Sequence, residues 1–189
     1  VVLADLDPHG GTVAQQLGIL DAASGVLAAA RLAASGHLPE RFVTVCRGVG
    51  EHLAVVTGLP RADRWREVRP AHVDELLGEA AGRGDVVVDT GFGLEDDSLD
   101  LGRTPRHAMT FGALAAADEV VVVGAADPVG LARLARALVE LHELGTTASV
   151  RVVVNRMRPT IGWAEREIAG MVEGVSRTAD LHFLPVGNA

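Results

Sequence analysis

The sequence predicts an α/β protein: three layers, α/β/α, around a mostly parallel sheet. Three observations carry that expectation. Short apolar runs recur at Val1–Leu6, Val86–Val88, Val120–Val123 and Val150–Val154, the pattern of strands buried on both faces. Amphipathic helical stretches alternate with them, as parallel crossovers require. Each run then ends in polar residues, namely Asp5 and Asp7, Asp89, Asp127 and Asn155. In open α/β sheets, ligands collect beyond the carboxyl ends of the strands.

The chain of 189 residues suits one domain, 1–189, with a substantial core. Apolar residues make up 48% and charged residues 22%, an ordinary globular balance that excludes a disordered or collagenous chain. A net charge of −8 gives no signal for general nucleic-acid or anionic-membrane binding, both of which favour basic surfaces. Cys46 is the sole cysteine, so no internal disulfide can form and a reducing cytoplasm fits. No apolar run approaches the ~20 residues of a spanning helix, and no signal segment is visible. All 17 basic residues are arginine. Val1 opens inside an apolar run without a methionine, which predicts a further piece upstream of it.

In order, Val1–Leu6 is the first strand, and Asp5 and Asp7 close it. Residues i and i+2 of a strand share a face, so the two carboxylates can meet one ion or water if the strand persists to Asp7. The alternative is a β-turn over Asp7-Pro8-His9-Gly10. Thr12–Leu17 reads as a short helix capped by Thr12, with Val13, Leu17 and Leu20 on its apolar side. Asp21–Ser35 is an Ala-rich helix stopped by Gly36. Phe42–Cys46 and Leu53–Thr57 read as two strands around a turn at Gly48 and Gly50. The charge-dense 58–70 segment, with four arginines and Trp65 between Pro60 and Pro70, reads as a solvated loop of ion pairs, each contributing little.

A helix from Ala71 packs through Val73, Leu76 and Leu77, and the Asp85–Asp89 run follows it. Pro105–Ala117 is helical, and Asp127-Pro128 opens the clearest helix of the chain, with an N-cap and a proline at its first position. Leu131, Leu134, Leu138 and Leu141 recur there at helical spacing, which is core packing. Val150–Val154, a helix over Ala164–Gly174 and the short run Leu181–Leu184 before Pro185 complete the alternation. The histidines show no metal spacing, and His9 reads as a turn residue. Cys46 reads as a buried structural thiol.

Three strand ends in this order resemble one family. Val2-Leu3-Ala4-Asp5-Leu6-Asp7-Pro8-His9-Gly10-Gly11 resembles the second strand and switch I of the MinD/ParA ATPases, the deviant Walker A branch of the P-loop NTPases. Val86-Val87-Val88-Asp89-Thr90 resembles their Walker B strand, and Val152-Val153-Val154-Asn155-Arg156 their adenine-side strand. The segments Leu59–Trp65 and Ala126–Arg133 are similar to those of MinD-like proteins of septum placement and pilus assembly.

The resemblance implies a P-loop NTPase-like fold and an ATPase acting as a spatial or assembly switch in septum placement, pilus assembly or partitioning. It implies that Asp7 orients the attacking water, that Asp5 supports the metal and water shell, and that Asp89 holds Mg²⁺ through water. Asn155 and Arg156 would meet the adenine of ATP, and the backbone near Pro185 would line the base. Acids for the metal and water suit phosphoryl transfer, which is mostly positioning and charge stabilisation.

It further implies protein partners, a nucleotide-dependent homodimer when complete, and a cytoplasmic location, peripheral at the membrane if a further segment supplies the contact. The family's P-loop precedes the Asp5/Asp7 strand, and no G-x-x-x-x-G-K-[ST] occurs in these residues. Without that loop or any lysine, these 189 residues are expected to bind Mg-ATP weakly or not at all. Arginine supplies the charge but not the compact ammonium.

Two other readings remain. One is a MinD-like fold serving as an inactive partner-binding scaffold. The other is a haloacid-dehalogenase-like phosphatase, in which Asp5 is the nucleophile and Asp7 the acid/base; His9 departs from that family's pattern. Gly91-Phe92-Gly93 is too short a fingerprint for a dinucleotide-binding domain.

Overall fold

The computed structural model describes residues 1–21, 23–95, 105–158, 162–178 and 180–187. The chain forms two compact units, Val1–Ala116 and Ala117–Ala189. Both are α/β, and their sheets are mostly parallel.

The first unit runs β1 (Val2–Leu6), α1 (Val13–Gln16), α2 (Gly25–Ala34), α3 (Leu38–Val45), β2 (Arg47–Val49), β3 (Leu53–Val56), α4 (Pro70–Ala81), β4 (Val86–Thr90) and α5 (Ala108–Ala116). Its sheet has the order β2-β3-β1-β4. β1 is central and parallel to both neighbours, while β2 pairs antiparallel with β3. Val2, Ala4 and Leu6 alternate into the main core with Val26, Leu27, Phe42, Val73 and Leu76. The opposite residues of β1, including Asp5, therefore belong to the other face.

The segment Phe42–Cys46, expected as a strand, is the end of α3. Leu38, Phe42 and Val45 are buried while Val43 is 76% exposed, so the operative period is that of a helix, begun by Pro39 and Glu40 in its first turn. The hairpin survives with its first strand moved to Arg47–Val49, and Gly50 turns it at φ 65°. α2 starts at Gly25 rather than Asp21, because Ser24 is the cap that accepts the Leu27 N–H. Asp21 instead pairs with Arg47 at 2.7 Å.

α1 is shorter than expected and buries nothing. Thr12 caps no backbone N–H there, and Leu20 is 95% exposed. Cys46 is half-buried at the end of α3, its thiol donating to the Phe42 carbonyl, and burial raises its pKa. Residues 62–67 form a 3₁₀ turn in which Arg61 pairs with Asp63 and Arg64 with Glu67, as the loop of ion pairs predicts.

The second unit runs β5 (Glu119–Ala125), α6 (Pro128–Glu143), β6 (Ser149–Met157), α7 (Glu165–Val175) and β7 (Asp180–Pro185), with sheet order β5-β6-β7, all parallel. Asp127 caps α6 by accepting the Gly130 N–H at 2.8 Å, and Leu131, Leu134, Leu138 and Leu141 are buried along it. Leu131, Leu134 and Leu138 join Val152, Val154, Ile168 and Val172 in this unit's core. Among the described residues, no helix is long and apolar enough to cross a membrane.

Candidate functional site

Asp5 and Asp89 are register partners on adjacent parallel strands, both near the carboxyl end. β1 ends at Leu6, so Asp7 lies on the following turn rather than on the strand. Asp5 is 1% exposed. Its carboxylate accepts the Asp7 N–H at 3.3 Å and the Val13 N–H at 3.2 Å, so it spans the turn and the start of α1. Asp7 Oδ1 in turn accepts the His9 N–H at 2.8 Å.

Three glycines make room for these acids. A Cβ on Gly11 would fall inside the Asp5 carboxylate, and one on Gly58 would lie 2.6 Å from Asp5 Cγ. A Cβ on Gly91 would lie 2.9 Å from Asp7 Oδ1. The turn after β1 and the loops after β3 and β4 thus press on the carboxylates with bare backbone.

Burial pushes the Asp5 carboxyl above its ordinary value; its two backbone N–H bonds oppose the rise, and the charges of Asp89 and Asp7 add to it. Asp89 is open to solvent on one side, yet packing around it and then the Asp7 charge raise its carboxyl too. Acids raised by burial and by neighbouring negative charge favour a cation beside them. Among the described residues, no three His, Cys, Asp or Glu converge tightly enough to hold a metal ion by themselves.

The second unit gathers the other predicted residues. Asn155 ends the regular part of β6, where its carbonyl accepts the Ala126 N–H at 2.8 Å. Its Oδ1 accepts the Arg156 N–H at 2.7 Å. Arg156 has φ 63°, the left-handed region, within an irregularity of the β6–β7 ladder between Val154 and Met157. Met157 pairs with Pro185, so Asn155, Arg156 and Pro185 share one end of this sheet. Asp5, Asp7 and Asp89 likewise share one end of theirs.

Reading the sequence singled out the carboxylates but not Gly11, Gly58, Gly91 or the ring of His9. The glycine after each strand is a visible signal, but its meaning depends on which strands are neighbours, and single-sequence periodicity does not reveal that order.

No protein-family model and no curated protein sequence matches the chain. Solved structures do. The chain superposes on a ParA family ATPase from Chlorobium tepidum TLS with a TM-score of 0.77 and 16% identity, covering 99% of this chain and 72% of that one. It matches the cell division ATPase MinD of Pyrococcus furiosus with a TM-score of 0.66 and 16% identity, covering 95% and 69%. A plasmid partition protein of Borrelia burgdorferi B31 bound to AMPPNP matches with a TM-score of 0.53 and 12% identity, covering 99% and 85%. The chain has the MinD/ParA-like fold of the P-loop ATPases.

Proposed function

We propose that the protein is a MinD/ParA-like ATPase, a nucleotide-dependent switch whose process is septum placement, pilus assembly or partitioning. The observation that carries this is the in-register pair Asp5 and Asp89 at the ends of adjacent parallel strands, with Asp7 on the turn between β1 and α1. The named neighbours are a ParA family ATPase, a cell division ATPase and a partition protein bound to AMPPNP, which supports the same reading.

In this reading Asp7 orients the attacking water and accepts its proton as the nucleophile forms. Asp89 is the solvent-facing acid suited to hold Mg²⁺ through water. Asp5, enclosed by glycines, supports the shell indirectly through the backbone it holds. Bound Mg²⁺ supplies charge neutralisation at the phosphates. Asn155 and Arg156 meet the adenine, with the Pro185 backbone beside it. Partners are proteins of the same division, pilus or partitioning system, engaged by a nucleotide-dependent homodimer at a cytoplasmic, peripheral location.

The test is Mg-ATP hydrolysis by the full-length protein against Asp7→Ala. Loss of about 10²-fold or more in kcat, with nucleotide affinity retained, is the expected outcome. Equal rates in the two proteins would sink the water-orienting role.

A second reading is a catalytically inactive scaffold of the same fold, and one observation favours it: these 189 residues offer no lysine to a phosphate. It predicts partner binding unaffected by ATP and by Asp7→Ala.

A further inference from the structure

We propose that His9 is a positioning residue: its ring, stacked on Phe92, clamps the turn that carries Asp7 to the loop that follows β4. This rests on the water-orienting role of Asp7 proposed above.

His9 makes two different attachments. Its backbone N–H holds Asp7 Oδ1 at 2.8 Å. Its ring lies over Phe92, with centroids 5.0 Å apart and planes 15° from parallel, and meets the His107 ring at 5.5 Å and 44°. The backbone bond fixes the carboxylate, and the ring fixes the backbone. The loop after β4 and the start of α5 are therefore joined to the turn by a column of three rings.

The ring of His9 is not placed there by hydrogen bonding through its buried nitrogen. Nε2 is sequestered and has no hydrogen-bond partner among the described residues, whereas the ring meets those of Phe92 and His107 at that edge. Phe92 is 84% exposed, and the His9 ring stacks on it.

The backbone is shaped to allow this approach. Gly91 lets the loop come against Asp7 and Pro8, and a Cβ on Gly93 would run into the His107 ring. Without the rings, the contacts left between the turn and the loop after β4, among the described residues, are those van der Waals approaches, while the Asp5 carboxylate still holds the Asp7 and Val13 N–H groups. A turn loosened at that edge lets Asp7 sample more orientations, which slows a step that depends on water alignment and leaves binding to residues elsewhere.

The experiment uses the full-length protein with His9→Ala, Phe92→Ala, His9→Phe and Asp7→Ala. Hydrolysis of Mg-ATP and amide hydrogen exchange over residues 7–13 are measured together. His9→Ala and Phe92→Ala are expected to lower kcat about tenfold with KM within about twofold, and to speed exchange at Val13 and His9 but not in β1 or β4. His9→Phe, which keeps a ring and loses both nitrogens, is expected to restore kcat to within about threefold of wild type and exchange to its original rate.

Unchanged kcat and exchange in His9→Ala overturn the proposal, as does a His9→Phe variant that behaves like His9→Ala. Should wild type hydrolyse no faster than Asp7→Ala, the ATPase reading itself fails and exchange alone decides. Unchanged exchange then removes the clamp, and faster exchange keeps the clamp while ending its link to Asp7.

Discussion

Asp5 owes its behaviour to what its oxygens already hold. It satisfies two backbone N–H groups from a nearly solvent-free position, and a buried donor stripped of its acceptor costs about 1–3 kcal/mol. Asp5→Ala is therefore expected to destabilise the first unit by about 2–4 kcal/mol, allowing for both donors. Asp5→Asn keeps one carbonyl acceptor and should cost less than half as much. Urea unfolding of the three proteins measures the difference, and equal midpoints for Asp5→Ala and wild type would show that the turn does not depend on the carboxylate. The acids were visible from an apolar run ending in D-x-D. The turn at Asp7 was one of two readings the sequence allowed, and where β1 stops selects it; that Asp5 holds backbone N–H groups from a buried position was not visible.

Among the elements, α6 is the one whose start and inner face the sequence spells out. Asp127, Pro128 and the Leu131–Leu134–Leu138–Leu141 series each carry local information, and the structure uses each as expected. Asp127→Ala removes a cap bond and is expected to lower stability by about 1 kcal/mol, read as a shift in denaturation midpoint with unchanged slope. Asp127→Ser, another capping residue, should recover most of it. α3 teaches the opposite lesson. Phe42-Val43-Thr44-Val45 has strand-like composition, and only the burial of Leu38, Phe42 and Val45 selects the helix. Tertiary contact decided between two periods that four residues cannot separate.

At the scale of the whole molecule, the burial of two acids at the strand ends, with acidic neighbours beside them, makes the site a source of instability. Asp5 and Asp89 have folded pKa values above their ordinary 3.8, so between that value and the raised one the folded state binds more protons than the unfolded state. Stability from these groups is thus full below about pH 3.8 and declines as pH rises through their folded values. Asp89→Asn removes a charge disfavoured first by burial and then by the Asp7 charge, and is expected to raise the melting temperature at neutral pH and to flatten that decline. Melting curves across pH 4–7 check both, and a lower melting temperature for Asp89→Asn at pH 7 would contradict the penalty on the charged acid.

The α/β class and the sequence of strand ends were legible because each strand and helix is signalled locally. The division into two compact units and the strand orders β2-β3-β1-β4 and β5-β6-β7 were not, since pairing depends on contacts between residues far apart in sequence.

The pairing of Asp5 with Asp89 has a consequence for how errors in this protein would show themselves. The two strands meet with Val88 and Thr90 on either side of Asp89, and side chains alternate faces along a strand. A slip of one residue would put a valine or a threonine beside Asp5 and turn Asp89 toward the opposite face. A copy slipped by one residue could not retain the acid pair, so the Asp5–Asp89 pairing doubles as an audit of the alignment of these two strands.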